Sequence, residues 1–438
     1  MATLKDIVQA DGLFCDGDWI EKKDQNPNGS VRLIQLADIG DGIFKDKSSK
    51  FVTEDTAERL HCTFLEKGDI LIARLPDPLG RACIFPLSGK YITAVDVAIL
   101  RIHNPKIDSR FVMHMINSHM FRSQIANYES GTTRKRISRR NLEKIQFNLP
   151  SIDEQKLTAS YIDKLFSELD KGVETLQTIK EQLAVYRQAV LTSLYPEMTE
   201  ENTVSLDAIA DITSGITKGR KLDGQDTLRL PYLRVANVQN GYLDLSEMKS
   251  IELKPSEREK YLLKYGDVLY TEGGDRDKLG RGTIWRDEIK ECVHQNHVFK
   301  ARVDTTRALP KYVSYWSMST PARNYFYTKG KQSVNLASIN KTILSALLLP
   351  LPDKACQEKI VNCIEERFSL CDNIEQTVDN ALTQAESMRK GILKKAFEGE
   401  LCKGVNKHRI SFQRFGECAV RCAMMAFPTA TIWNRLPI

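Results

Sequence analysis

The chain has 438 residues, 42% of them hydrophobic and 27% charged, a composition that excludes collagen-like, mucin-like and disordered classes and is enough for about three domains. A net charge of +6 is weak support for an anionic partner, so the places where cations cluster matter more than their sum. No run of about 18 apolar residues occurs, MATLKDIVQADGLF lacks a signal-peptide pattern, and the ten cysteines form no CxxC array; these predict a cytoplasmic protein with no membrane partner, no structural zinc and no disulfide framework.

Residues 1–149 mix β-rich runs, VRLIQLADI, GDILIAR and VAILRI, with the helical run SRFVMHMINSHMFRSQIANY. They predict a mixed α/β domain with a twisted sheet. Near its end, GTTRKRISRR holds Arg134, Lys135, Arg136, Arg139 and Arg140, a phosphate-contacting loop or a solvated basic face. Arg74, beside the GD strand, is a DNA contact or a structural ion-pair partner. From Asp153 to Tyr195 there is no proline, and Ile162, Phe166, Leu169, Val173, Leu176, Leu183, Val190 and Leu194 recur in steps of three and four, interrupted by Lys180 and Arg187. Residues 150–202 therefore read as one long coiled-coil-like helix.

Residues 203–349 return to the first pattern with YLRVANV, GDVLYTE and VFKARV. Lys218, Arg220 and Lys221 sit among glycines in SGITKGRKL, followed by Tyr232 and Arg234; Arg276 and Arg281 flank the second GD strand. Lys329, Lys331, Gln332 and Asn335 make a less basic segment whose amides suit adenine edges. His294 and His297 lie three apart in a strand-like run, on opposite faces, which favours core or hydrogen-bonding roles over catalysis; Asp275 and Asp277 read as a solvated turn. Residues 350–402 form a second helix with Ile364, Phe368, Cys371, Val378, Leu382, Ala385, Ile392 and Ala396 on its stripe, broken by Glu375 and Arg389. The tail, 403–438, has no counterpart.

The two halves are a repeat. At an offset of 202, Pro150 meets Pro352, Gln155 meets Gln357, Ile162 meets Ile364, Phe166 meets Phe368, Asp170 meets Asp372 and Arg187 meets Arg389. EKGDILIAR echoes KYGDVLYTE at an offset of 198 because the loops differ in length. The fold class is α+β: two mixed α/β domains in tandem, each followed by a long helix, the two helices pairing as an antiparallel coiled coil. Such a chain relates its globules by a pseudo-two-fold axis, and a two-fold device suits duplex DNA. Arg187 and Arg389, equivalent on the two stripes, face a partner subunit, cap the helix pair with acidic partners, or snorkel outward at the rod's edge. The chain lacks GxxxxGK[ST], NPPY or DPPY, HExxH and GxSxG, so no catalytic residue and no bound cofactor or metal is predicted.

LPSIDEQK and LPLPDKACQEK opening the long helices, LFSELD and RFSLCD within them, GTTRKRIS, GDILIAR, SGITKGRKL, PYLRVANVQNGYLDL, EGGDRDKLGRGTIW and HQNHVFKAR together resemble the specificity subunit of type I restriction-modification systems, over about residues 10–402. The resemblance implies two target-recognition domains that each read half of a bipartite double-stranded DNA site. It also implies paired helices that act as a ruler and dock two DNA adenine methyltransferase subunits and, through them, restriction/translocase subunits. S-adenosylmethionine, ATP and Mg²⁺ would belong to those partners. Alternatives from other classes are a single-chain modification or cleavage enzyme and a scaffold that does not touch DNA. Asp353-Lys354-Ala355-Cys356-Gln357 departs from the family pattern and predicts a weaker cap on the second helix.

Overall fold

The computed structural model describes residues 1–398 other than 9–10, 77, 133, 221, 223–225 and 333–335. Lys221, Asn335 and the tail 403–438 therefore lie outside the described residues. The chain divides into two units, one of Met1–Gln177 with the second long helix from Val378 onward, the other of Thr178–Thr377.

In the first unit a four-stranded antiparallel sheet runs in the order Leu13–Asp16, Val97–Arg101, Ile70–Ala73, Ala82–Ile84. The run Ile70–Ala73 is fully buried because both faces are covered. Ile70 and Ile72 pack with Leu100 against Phe111, Val112 and Met115 of a helix, whereas Leu71 and Ala73 pack with Ile99, Ile34 and Phe85 on the other side. The period of two places alternate residues in two clusters. A smaller mixed sheet orders Lys50–Val52, Val31–Ile34 and Tyr91–Thr93.

The second unit repeats this plan. Its antiparallel sheet runs Ala210–Ser214, Val298–Val303, Val268–Thr271, Gly282–Ile284, and its mixed sheet Lys249–Leu253, Leu228–Leu233, Val293–His294. Each globule closes on itself: Ala2–Thr3 pairs with Gln146–Phe147, and Thr203–Ser205 with Leu348–Pro350.

The duplicated GD motif is a structural device. Gly68 and Gly266 adopt φ of +102° and +92°, conformations that favour glycine, and turn the chain so that the next carboxylate faces inward. Asp69 receives Nε and Nη2 of Arg101 at 2.8 Å each, and Asp267 receives the same two atoms of Arg302 at 2.8 Å each. Fork-to-carboxylate pairing of this kind compensates a buried charge and locks the strand to its neighbour.

Three runs read as continuous are interrupted. VRLIQLADI is a strand only over Val31–Ile34, because buried Asp38 accepts from the backbone N–H of Gln35, Lys47 and Ser48 at 2.6–2.7 Å and bends the chain. Asn237 does the same in the second unit, accepting from Arg234 N–H at 2.9 Å. The helical run splits into Ser109–Asn117 and His119–Ala126 at Ser118, whose extended backbone and side chain cap the second piece.

The long helices are Ile152–Ser193 and Lys354–Phe397. The weaker cap expected on the second is corrected by the structure. Asp353 Oδ1 accepts from Cys356 N–H at 2.7 Å, an N-cap worth about 1 kcal/mol, while Glu154 reaches back to Ser151 N–H at 3.0 Å at the start of the first helix. Inside the first turn of each helix a buried glutamine joins helix to globule. Gln155 Oε1 accepts from Asp108 N–H at 3.0 Å, and its Nε2 donates to Lys106 and Pro150 carbonyls at 3.2 and 2.9 Å. Gln357 repeats the set with Leu309 N–H at 2.9 Å and the carbonyls of Arg307 and Pro352 at 3.1 and 2.8 Å.

Within the first unit Ile162, Leu165 and Phe166 of the first helix pack with Ile392 and Leu393 of the second. Within the second unit Val190 and Leu191 share a core with Ile360, Val361 and Ile364, and Phe368 packs against it. The buried stripe differs in detail from the sequence reading. Ile179 is buried beside Leu176 and Leu183, and Ile374 and Ala381 are buried near Val378, whereas Val173 and Leu382 are half-buried. Leu169 is buried as expected.

Replacing Gln155 with Leu leaves one buried N–H and two carbonyls without their partner, at about 1–3 kcal/mol per group before relaxation. Urea unfolding of the full chain is expected to show a loss of about 2–4 kcal/mol.

Candidate nucleic-acid interface

The strand order brings one set of loops to one end of each four-stranded sheet. In the first unit these are the loop after Asp16, the loop after Ala73 and the turn before Val97, since register pairs Asp16 with Ala98 and Ala73 with Val97. The basic segment is tied to the same end. Ser130 and Arg136 exchange backbone hydrogen bonds at 2.9 and 2.8 Å, and Ile137 N–H donates to Arg74 carbonyl at 3.1 Å. In the second unit the loops after Ser214 and Thr271 and the turn before Val298 occupy the corresponding end. There Gly273–Gly274 pairs with Ala337–Ser338, which pairs with Lys331–Gln332, and Ile339 N–H donates to Glu272 carbonyl at 2.8 Å.

The cations singled out from the sequence fall into two groups among the described residues. Arg134, Arg136 and Arg140 in the first unit, and Lys218, Lys329 and Lys331 in the second, are exposed with no side-chain partner among the described residues. Gln332, also exposed, lies on the same short strand as Lys331. Arg276 is exposed and lies 4.8 Å from the ring centre of Tyr327, donating from Nε to its carbonyl at 3.1 Å. These groups remain accessible to an anion.

A second group is engaged inside the fold. Arg74 binds Asp16 and the carbonyls of Ile137 and Val95, and so stitches the basic segment to the sheet. Arg139 pairs with Glu143, faces Asp16 and stacks 5.9 Å from the Phe14 ring centre. Lys135 pairs with Glu129. Arg220 pairs with Glu257 at 2.7 Å, Arg234 donates to Glu247 carbonyl at 2.8 Å, and Arg281 donates to Gln239 at 2.9 Å. Surface pairs of this kind are worth about 0–1 kcal/mol, so they bias orientation more than they hold the fold.

Tyr232 is a correction. It is 3% exposed, inside the mixed sheet between Lys249 and Val293, and packs with Leu230 and Leu253; an aromatic in the middle of a covered strand offers no surface to DNA.

The histidines and carboxylates weighed for chemistry behave as structural groups. His294 is buried, its Nδ1 2.7 Å from Val298 carbonyl, and burial pushes its pKa down to about 4. His297 Nδ1 lies 2.7 Å from Glu272. Asp275 pairs with Lys278 in an exposed turn. Burial pushes the thiols of Cys62, Cys83 and Cys292 up to about 12, which leaves them protonated and poor nucleophiles at neutral pH. Among the described residues no cluster of three metal-ligating side chains occurs, and no helix is long and apolar enough to cross a membrane.

The stripe arginines cross between helices in the same way in both units. Arg187 donates to Asp372 at 2.6 Å and Glu375 at 2.8 Å, and Arg389 pairs with Asp170 while lying 4.3 Å from the ring centre of Phe166. Of the three sequence-based readings, capping of the helix pair with acidic partners is the one these contacts match, and the structure places those acids on the opposite helix.

Residues 1–181 match the family described as Type I restriction modification DNA specificity domain. The StySPI specificity subunit of Salmonella potsdam is 27% identical over 308 residues, covering 67% of this chain and 66% of that protein. The EcoKI specificity subunit of Escherichia coli K12 is 26% identical over 310 residues, again 67% and 66%. The first 181 residues thus resemble the type I restriction-modification DNA specificity domain. The aligned region spans about two thirds of the length of each of these relatives. A chain solved in work on complex assembly and conformational transition of the type I R-M system shares the fold, with a TM-score of 0.65 at 15% identity over 90% of this chain and 99% of that one. The specificity-domain match ends inside the first long helix, so it covers the first globule, its basic segment and the Gln155 junction.

His294 generates a pH prediction. Its imidazole takes up a proton near 6.5 when unfolded and only near 4 when folded. Its contribution is therefore full above pH 6.5 and is lost as pH falls toward 4, by about 3 kcal/mol at about 1.4 kcal/mol per unit. Urea unfolding at pH 7 and pH 4.5 is expected to show a smaller acid-induced loss for His294→Phe than for the wild type.

Proposed function

We propose that this chain is the non-catalytic DNA-specificity subunit of a type I restriction-modification complex. Residues 1–149 and 203–349 act as target-recognition domains, each reading one half of a split duplex site. Residues 150–202 and 350–402 pair as an antiparallel coiled coil that sets the spacer and docks two adenine methyltransferase subunits, through which the restriction/translocase subunits join. S-adenosylmethionine, ATP and Mg²⁺ are supplied with those subunits, and the assembly works in the cytoplasm.

The observation that carries the proposal is that unengaged cations gather at the same end of the same sheet in both units, on loops that differ between the copies, while the scaffold beneath is duplicated. Exposed cations without acidic partners suit phosphates, which provide affinity and orientation, and variable loops between them suit base edges. Repetition of the helix contacts, Arg187 with Asp372 and Arg389 with Asp170, supports two equivalent docking regions.

The test is a map of methylated adenines across the host genome with and without this gene. Loss of one split motif on deletion is expected, and an unchanged map contradicts the proposal. Arg136→Ala is expected to weaken DNA binding by the assembled methyltransferase across sequences and to lower the slope of log affinity against log salt by about 0.9 for one lost phosphate contact.

A further inference from the structure

We propose that Trp19 is a wedge that stacks on a base step of the half-site read by the first globule, and so sets the sequence preference of that half alone. The inference rests on the DNA reading above. Of the tryptophans among the described residues, Trp285 and Trp316 are buried, whereas Trp19 is 71% exposed. Its loop leaves the sheet directly after Asp16, which is bonded to Arg74 and faced by Arg139 at 3.8 Å. Trp19 therefore belongs to the same sheet end as the unengaged cations Arg134, Arg136 and Arg140.

The loop is anchored on both sides of the indole. Gly17 N–H donates to Val97 carbonyl and Asp18 N–H to Thr93 carbonyl, both at 2.8 Å, and Val95 N–H returns to Asp18 carbonyl at 2.9 Å. The Asp18 carboxylate accepts from Thr63 N–H at 3.0 Å. On the other side Ile20 packs against the cluster of Val31, Leu33, Val52, Ala57 and Ile92. Between these anchors the ring makes one polar contact, Nε1–H to Glu21 at 3.4 Å. A large apolar ring is thus held in water by a tethered backbone.

The fold does not need the ring there. In the second unit Gly215 presses against the backbone of His294 and Gln295 as Gly17 does against Thr93 and Ala94, and Ile216 bridges Gln295 as Asp18 bridges Ala94. Two residues beyond each glycine stand Trp19 in one copy and exposed Thr217 in the other. The loop geometry is conserved between copies while this side chain differs, as expected of a residue that serves one half-site. The occupant that fits is duplex DNA: the unengaged cations Arg134, Arg136 and Arg140 belong to the segment tied through Arg74 to the sheet end from which the Trp19 loop leaves, and apolar or aromatic side chains inserted at base steps act through stacking and step deformability. An indole has a single N–H donor, so its contribution is stacking and not charge neutralisation.

The full chain, assembled with its methyltransferase subunits, is used to select sites from a random-sequence duplex pool, with Trp19→Ala and Trp19→Phe beside the wild type. Trp19→Ala is expected to blur one half of the split motif, leave the other half intact and bind the wild-type site about tenfold more weakly. The salt slope should stay unchanged, because no phosphate contact is lost, and Trp19→Phe should restore most of the preference. Retention of both halves at wild-type affinity by Trp19→Ala overturns the proposal, as does equal weakening of both halves or loss of methyltransferase co-purification with the motif intact. Failure of the wild-type assembly to select any motif overturns the DNA reading itself, a result distinct from failure of Trp19 alone.

Discussion

A buried amide with three hydrogen bonds anchors each long helix to its globule, and the rest of each unit depends on it. Gln155 and Gln357 each accept one backbone N–H from the segment before the globule's last helix pair and donate to two carbonyls, one from that segment and one from the turn entering the long helix. Left unmade, these bonds would cost more than the net gain from making them, because buried polar groups without partners carry the full desolvation penalty. One rotational setting of the helix satisfies all three partners, so the amide fixes helix register as well as position. A continuous helix carries that register along its length.

Beyond the junction, apolar packing supplies the energy and charge supplies the discrimination. Ile162, Ile392, Val190 and Ile364 are buried, each worth about 1.5–3 kcal/mol of apolar transfer. The half-exposed pairs of Arg187 and Arg389 are worth about 0–1 kcal/mol. What the arginines add is penalty for the wrong register, in which a guanidinium would lose its carboxylate within an apolar stripe.

The same sorting separates structural cations from available ones at the sheet ends. Arg101 and Arg302 are spent on buried carboxylates, and Arg74 on joining the basic segment to the sheet. Arg134, Arg136, Arg140, Lys218, Lys329 and Lys331 have no such duty among the described residues. A rigid, duplicated scaffold with divergent loops at one sheet end can change what it contacts without changing how it folds.

The repeat, the two long helices and the basic segment were legible in the amino-acid sequence, because periodicity, duplication and charge clustering are local properties of a string. Tertiary structure alone decided which cations are engaged, since Arg74 meets Asp16 and Arg220 meets Glu257 only after strands and loops are placed. It alone removed Tyr232 from the surface, by covering its strand, and put Ile179 on the stripe where steps of three and four had passed it over. Gln155 and Gln357 were visible as a matched pair, but their partners lie 47 to 50 residues away for the contacts to the globule. Trp19 gave no periodic or charge signal. Its exposure follows from anchors at Thr63, Thr93, Val97 and the Ile20 cluster, contacts that exist only in the folded chain.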